Sequence, residues 1–90
     1  MKEIYIRRMK PDEARFKLER EMNEAFMAGE KEVEVVHGIG EGVLRRITVD
    51  YVNESDFLEL AGNDFFQNNP GATRVYILGP DKYSLKKVKQ

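Results

Sequence analysis

The sequence predicts an α/β domain with a mixed sheet, and three features carry that expectation. A strand-like run, a long amphipathic helix and a second strand-like run follow one another within the first 36 residues. That order is the signature of two parallel strands joined by a right-handed crossover. Glycines at 38, 40 and 42 then follow the second run directly. Two further apolar runs, at 57–60 and 74–78, read as a pair of strands antiparallel to each other.

The elements follow in chain order. Residues 3–8 carry Ile4 and Ile6 at period two with Tyr5 between them, which predicts the first strand. Lys10-Pro11-Asp12-Glu13 opens a helix. Proline suits the first turn, where its missing N–H is not needed, and the two acids complement the positive end of the helix dipole. The helix runs to about Ala28 and stops at Gly29, with Ala14, Leu18, Met22 and Ala25 as its buried stripe and Phe26 widening it. Phe16 and Met27 fall near the opposite side; partial burial against a loop and contact with a partner protein both account for them. The charged face is solvated, with Glu13 and Lys17 spaced to pair.

Val33, Val35 and Val36 form the second strand. Because it lies parallel to the first, both end at the same edge of the sheet. Connectivity therefore brings Arg7, Arg8 and Lys10 close to His37 and the glycine turn. In open α/β sheets that edge, outside the carboxyl ends of the strands, is where ligands bind.

The turn itself, His37-Gly38-Ile39-Gly40-Glu41-Gly42, is the stretch with the most chemistry in it. Glycine tolerates positive φ and lets a backbone approach a ligand. If a helix follows, its first N–H groups lack partners and, with the dipole, favour an anion such as phosphate. A tight turn can also use glycine for packing alone. After Gly42 the pattern is divided: Val43, Leu44, Ile47 and Tyr51 have helical spacing, whereas the β-branched run at 47–52 alternates like a strand. In the helical case Arg45 and Arg46 sit in a first turn, opposed to the dipole, a placement that an anion in front of them explains.

Residues 53–56 are a break, and 62–73 form a long connection holding Phe65 and Phe66, which either close the core or stack on bases. Beyond Gly79-Pro80 a tail carries Lys82, Lys86, Lys87 and Lys89. The expected organisation is one domain over 1–79 and a basic tail over 80–90.

Composition limits the function classes. A chain of 90 residues buries only about 60–65 % of its unfolded surface, so the core is thin. Lys and Arg total 15 against 16 Asp and Glu, a net charge of −1, so nucleic-acid binding has to rest on a local cationic cluster. The absence of cysteine removes disulfides and thiolate metal sites and fits a reducing, cytoplasmic setting. No run is long and apolar enough for a membrane span, and the start is too weakly apolar for a signal peptide.

Residues 37–45, His37-Gly38-Ile39-Gly40-Glu41-Gly42-Val43-Leu44-Arg45, match H-G-x-G-x-G-x-L-R at every specified place. In this the chain resembles the Smr (small MutS-related) domain family. Ala25-Phe26-Met27-Ala28-Gly29 and Gly71-Ala72-Thr73-Arg74-Val75-Tyr76-Ile77-Leu78 also fit, so the resemblance covers about 3–79. It implies a two-layer β-α-β-α-β-β sandwich, a four-stranded mixed sheet with two helices, similar to the C-terminal domain of bacterial translation initiation factor three. That makes 42–53 a helix. It also implies nucleic-acid binding, in DNA repair or recombination or in RNA processing, with DNA or RNA as partner and, in several members, cleavage.

The family's other motif, L-D-x-H-G at the end of the first strand, is not kept. Its places hold Ile4, Tyr5, Ile6, Arg7 and Arg8, so the acid, the histidine and the glycine are all replaced. That departure weighs against cleavage, while arginine is suited to forked contacts with phosphate. The expected binding set is Arg7, Arg8, Lys10, Gly38, Ile39, Gly40, Gly42, Arg45 and Arg46. His37 is the remaining candidate for acid–base catalysis, against a structural role capping the turn. No cofactor or metal is expected for binding. A divalent ion, with Glu41 or Asp12 as carboxylate, belongs only to the nicking-endonuclease alternative. A third alternative is a non-catalytic protein-interaction module.

Overall fold

In a computed structural model, residues 1–61 and 70–79 are described. Their elements are β1 (Lys2–Tyr5), α1 (Pro11–Met27), β2 (Glu32–Val36), α2 (Val43–Glu54), β3 (Leu58–Leu60) and β4 (Ala72–Ile77). The sheet order is β1-β2-β4-β3, with β1 parallel to β2 and β4 antiparallel to both β2 and β3. This is the mixed sheet with two helices expected from the sequence. The connection holding Phe65 and Phe66 and the tail holding Lys82, Lys86, Lys87 and Lys89 lie outside the described residues. Among the described residues no helix is long and apolar enough to cross a membrane.

The core forms where alternate strand residues meet the helix stripes. Ile4, Ile6, Val33, Val35, Leu58 and Val75 pack with Ala14, Leu18, Met22 and Ala25 of α1 and with Tyr51 and Val52 of α2. The expected α1 stripe is therefore buried throughout. Phe26, by contrast, stays partly exposed and meets Phe57 edge-on, with ring centres 5.2 Å apart. Phe16 and Met27 are 61 % and 85 % exposed, so no neighbouring loop among the described residues buries them.

Local chemistry sets the helix ends. At the start of α1 the Lys10 N–H donates to the Glu13 carboxylate at 3.2 Å. Glu13 is thus a cap. Lys17 pairs instead with Glu21 at 3.7 Å and donates to the Tyr5 carbonyl at 2.7 Å, which ties α1 to the end of β1. Past the other end, Gly29 takes φ +79°, the left-handed conformation common after a helix. The segment that pattern alone left divided is α2. Its β-branched Thr48 is accommodated because the hydroxyl donates to the Leu44 carbonyl one turn back, at 2.9 Å. An Arg15–Glu54 ion pair, with Arg15 also 5.4 Å from the centre of the Tyr51 ring, joins the two helices.

Two boundaries differ from the expectation by more than one residue. The first strand ends at Tyr5, not at residue 8, because the chain turns: the Met9 N–H donates to the Ile6 carbonyl at 3.2 Å. The last strand begins at Ala72, two residues earlier than expected, since Ala72 and Thr73 pair with Val36 and Val35.

Candidate nucleic-acid interface

The site is built by two strand tips side by side. Tyr5 stands in register with Val36, and the Ile6 N–H extends the ladder to the Val36 carbonyl at 3.0 Å. Beyond that bond the chain leaves β1 through Arg7 and Arg8 and leaves β2 through His37 and the glycine turn. The Arg7 side chain lies on Gly38: a Cβ added there would sit 3.5 Å from both Cγ and Nε of Arg7. Arg7 and the turn, more than 25 residues apart in sequence, are thus in direct contact.

Arg8 is the third residue of the turn from Ile6 to Met9 and has φ +62°, the one non-glycine with positive φ among the described residues. That place in a type II turn normally takes glycine. It is also the place that the resemblance aligns with the glycine of L-D-x-H-G. Arg8 thus stands in a backbone conformation that glycine adopts without strain.

In the second tip, Gly38, Gly40 and Gly42 have φ +80°, +34° and +87°, so all three are where an L side chain is strained. The turn is anchored at its base: the amides of His37 and Gly38 both donate to the Gly71 carbonyl, at 3.0 and 2.8 Å. Gly38 therefore supplies conformation and a seat for Arg7, and its N–H is not a free donor. Among the described residues no backbone hydrogen bond engages the amides of Ile39, Gly40, Glu41, Val43 or Leu44. These are the donors left for an anion at the start of α2.

His37 is 5 % exposed. Its Nδ1 lies 2.8 Å from the Gly38 carbonyl and its Nε2 2.8 Å from Thr73 Oγ1. A carbonyl only accepts, so Nδ1 carries the proton and donates, and Nε2 accepts from the Thr73 hydroxyl. Burial pushes the imidazole below its ordinary pKa of 6.5; the bond to Gly38 opposes this and the charge of Arg45 adds to it. The ring is therefore neutral at pH 7, with both nitrogens occupied, and Thr73 has no exposed surface. This arrangement suits a strut between β2 and β4 better than a general base, which needs a lone pair facing a substrate.

The remaining cations are spread around this edge. Arg8 and Lys10 are exposed, and Lys10 caps α1. Arg45 is half-buried and close enough to His37 to affect its proton. Arg46 is 3.6 Å from Asp50 one turn on, with its side chain largely in solvent. Asp12 lies in the first turn of α1 and Glu41 in the glycine turn, both exposed. Among the described residues no group of three or more histidines and acids is gathered that could hold a metal ion. The residues at the β1 tip, Tyr5, Arg7 and Arg8, do not fit a resident cation either, since two are themselves cations.

Sequence reasoning missed Thr73 and Gly71, the partners that hold the second tip. Both lay in what read as a connection before the last strand. The one available signal was that a buried histidine needs two partners.

The sequence model of the Smr domain matches residues 4–77. Over 78 residues the chain is 35 % identical to "Endonuclease MutS2" of Carboxydothermus hydrogenoformans, an alignment covering 83 % of this chain and 10 % of that protein. In three dimensions it is similar to the Smr domain of Thermus thermophilus MutS2, with a TM-score of 0.79 and 22 % identity, covering 88 % of this chain and all of that domain. The fold, the intact glycine motif and these similarities agree, and the chain belongs to the Smr domain family.

Proposed function

We propose that this domain binds nucleic acid through the phosphate backbone at the paired tips of β1 and β2, without cutting it. Arg7, Arg8 and Arg45 supply charge, Lys10 and Arg46 add to it at the margin, and the amides of Ile39 and Gly40 supply fixed donors. The observation that carries the reading is the packing of Arg7 on Gly38, which sets a guanidinium beside a turn with open amides. Contacts of this kind fix a backbone in place without reading sequence. The replaced acid and histidine of L-D-x-H-G, and the closed hydrogen bonding of His37, support binding without cleavage.

The test is an anisotropy titration with labelled DNA and RNA across a salt series. Affinity falls steeply with salt, and Arg7→Ala lowers the slope of log affinity against log salt by about one. Binding that is absent or indifferent to salt overturns the reading. The name of the C. hydrogenoformans relative favours a second reading, nicking endonuclease. Incubation of plasmid and RNA with Mg²⁺ or Mn²⁺ tests it: nicking by wild type that is lost in a His37→Ala protein shown to be folded favours the enzyme, and uncut substrate counts against it.

A further inference from the structure

Two aliphatic side chains stand out in and just after the glycine turn. Ile39 is 72 % exposed and Val43 is 52 % exposed, four residues apart across the glycine turn. Leu44 and Ile47 pack against the core and form the apolar face of α2, and Val43 is not on it. Nor is Ile39 on a loose loop. The turn is pinned to the Gly71 carbonyl by two amides, and Ile39 Cγ1 lies 3.7 Å from where a Cβ on Gly71 would sit. The side chain is exposed on a backbone anchored immediately before it, at His37 and Gly38.

We propose that Ile39, backed by Val43, is a wedge that enters an opened base step of the bound nucleic acid. The inference rests on the reading above and deepens it by naming the structural class of the ligand. The chemistry of the surroundings selects that class. Arg7 on Gly38, with Arg8, Arg45 and Arg46 in the same two tips and the start of α2, favours an anionic partner. A free phosphate or an intact backbone gains nothing from an isoleucine. A helix with a disrupted step offers phosphates outside and the apolar faces of unstacked bases within, which matches both halves of the site. Aliphatic wedges flanked by cations work in this way in proteins that kink nucleic acid. An isoleucine has no hydrogen-bonding group to read base edges, so the preference is for an opened step and not for a sequence.

The experiment compares a short intact duplex with the same duplex carrying one unpaired adenine, by anisotropy at fixed salt, with 2-aminopurine beside the bulge as a second signal. Wild type binds the bulged duplex about tenfold tighter, and Ile39→Ala brings the two within about twofold of each other. Arg7→Ala weakens both together. The 2-aminopurine emission rises on binding of wild type and stays flat with Ile39→Ala. Equal binding of both duplexes by wild type, or a preference that survives Ile39→Ala, overturns the wedge and leaves phosphate binding standing. No binding of either duplex, made both as DNA and as RNA, overturns both.

Discussion

The tips of β1 and β2 occupy equivalent places, side by side at one edge of the sheet, and only one of them departs from the family pattern. At the β2 tip every specified residue of the family pattern is present, from His37 to Arg45. At the β1 tip the acid, histidine and glycine have become Tyr5, Arg7 and Arg8. The β1 tip turns with a left-handed residue, Arg8 at φ +62°, and packs on the β2 tip through Arg7 and Gly38. The difference teaches that the shape of the edge and the chemistry carried on it are separable. Main-chain geometry is held by the sheet register on either side, whereas the side chains of Tyr5, Arg7 and Arg8 at the β1 tip are exposed.

The largest effect should come from the β2 tip. His37→Ala removes a buried ring and leaves the Thr73 hydroxyl, which has no exposed surface, without its partner. It should cost about 2–4 kcal/mol in denaturant unfolding. In a double-mutant cycle with Thr73→Val the second change should cost less in the His37→Ala background than alone. The same ring gives a pH dependence with a definite sign. Its folded pKa lies below the ordinary 6.5, so the unfolded chain takes up the proton first. The stabilisation is complete above that value and is lost as the pH falls through it. Thermal melts between neutral and mildly acid pH should show the loss in wild type and a reduced loss in His37→Asn.

Gly42→Ala should come next. With φ +87° and open space around it, the position penalises an L side chain through its backbone alone. The cost should be about 1–2 kcal/mol, and a neutral result would show that the turn can relax. Arg8→Gly should act in the opposite direction. It relieves the left-handed strain but gives the unfolded chain more freedom, a net gain of about 0.5–1 kcal/mol in unfolding experiments. If the gain is accompanied by weaker DNA or RNA binding, Arg8 has exchanged stability for charge. The smallest effect belongs to Arg46→Ala. Its pair with Asp50 is solvent-exposed, so stability should change by less than about 0.5 kcal/mol.

Much of this was legible in the residues. The α1 stripe, the parallel pairing of the first two strands and the meeting of Arg7 with the glycine turn follow from period and connectivity. The helical state of α2 did not, because its β-branched residues favour a strand locally. The Thr48 hydroxyl bonding to Leu44 and the burial of Tyr51 and Val52 show what outweighs that preference. The strut from His37 to Thr73 was hidden for a different reason. It joins residues 36 positions apart across antiparallel strands whose register no local pattern encodes. The same holds for the Gly38 amide, which looked open in the sequence and is satisfied by Gly71.

That last bond has a practical consequence. The clasp holding the second tip is peptide to peptide, and a methyl group at residue 71 would meet Gly38 only at ordinary van der Waals distance, 3.7 Å. An alanine scan would therefore pass over Gly71 in silence while the contact it makes goes on fixing the loop. Weakening the acceptor with an ester at the 71–72 linkage, or removing a donor with an ester at the 36–37 or 37–38 linkage, would reveal what side-chain truncation leaves unseen.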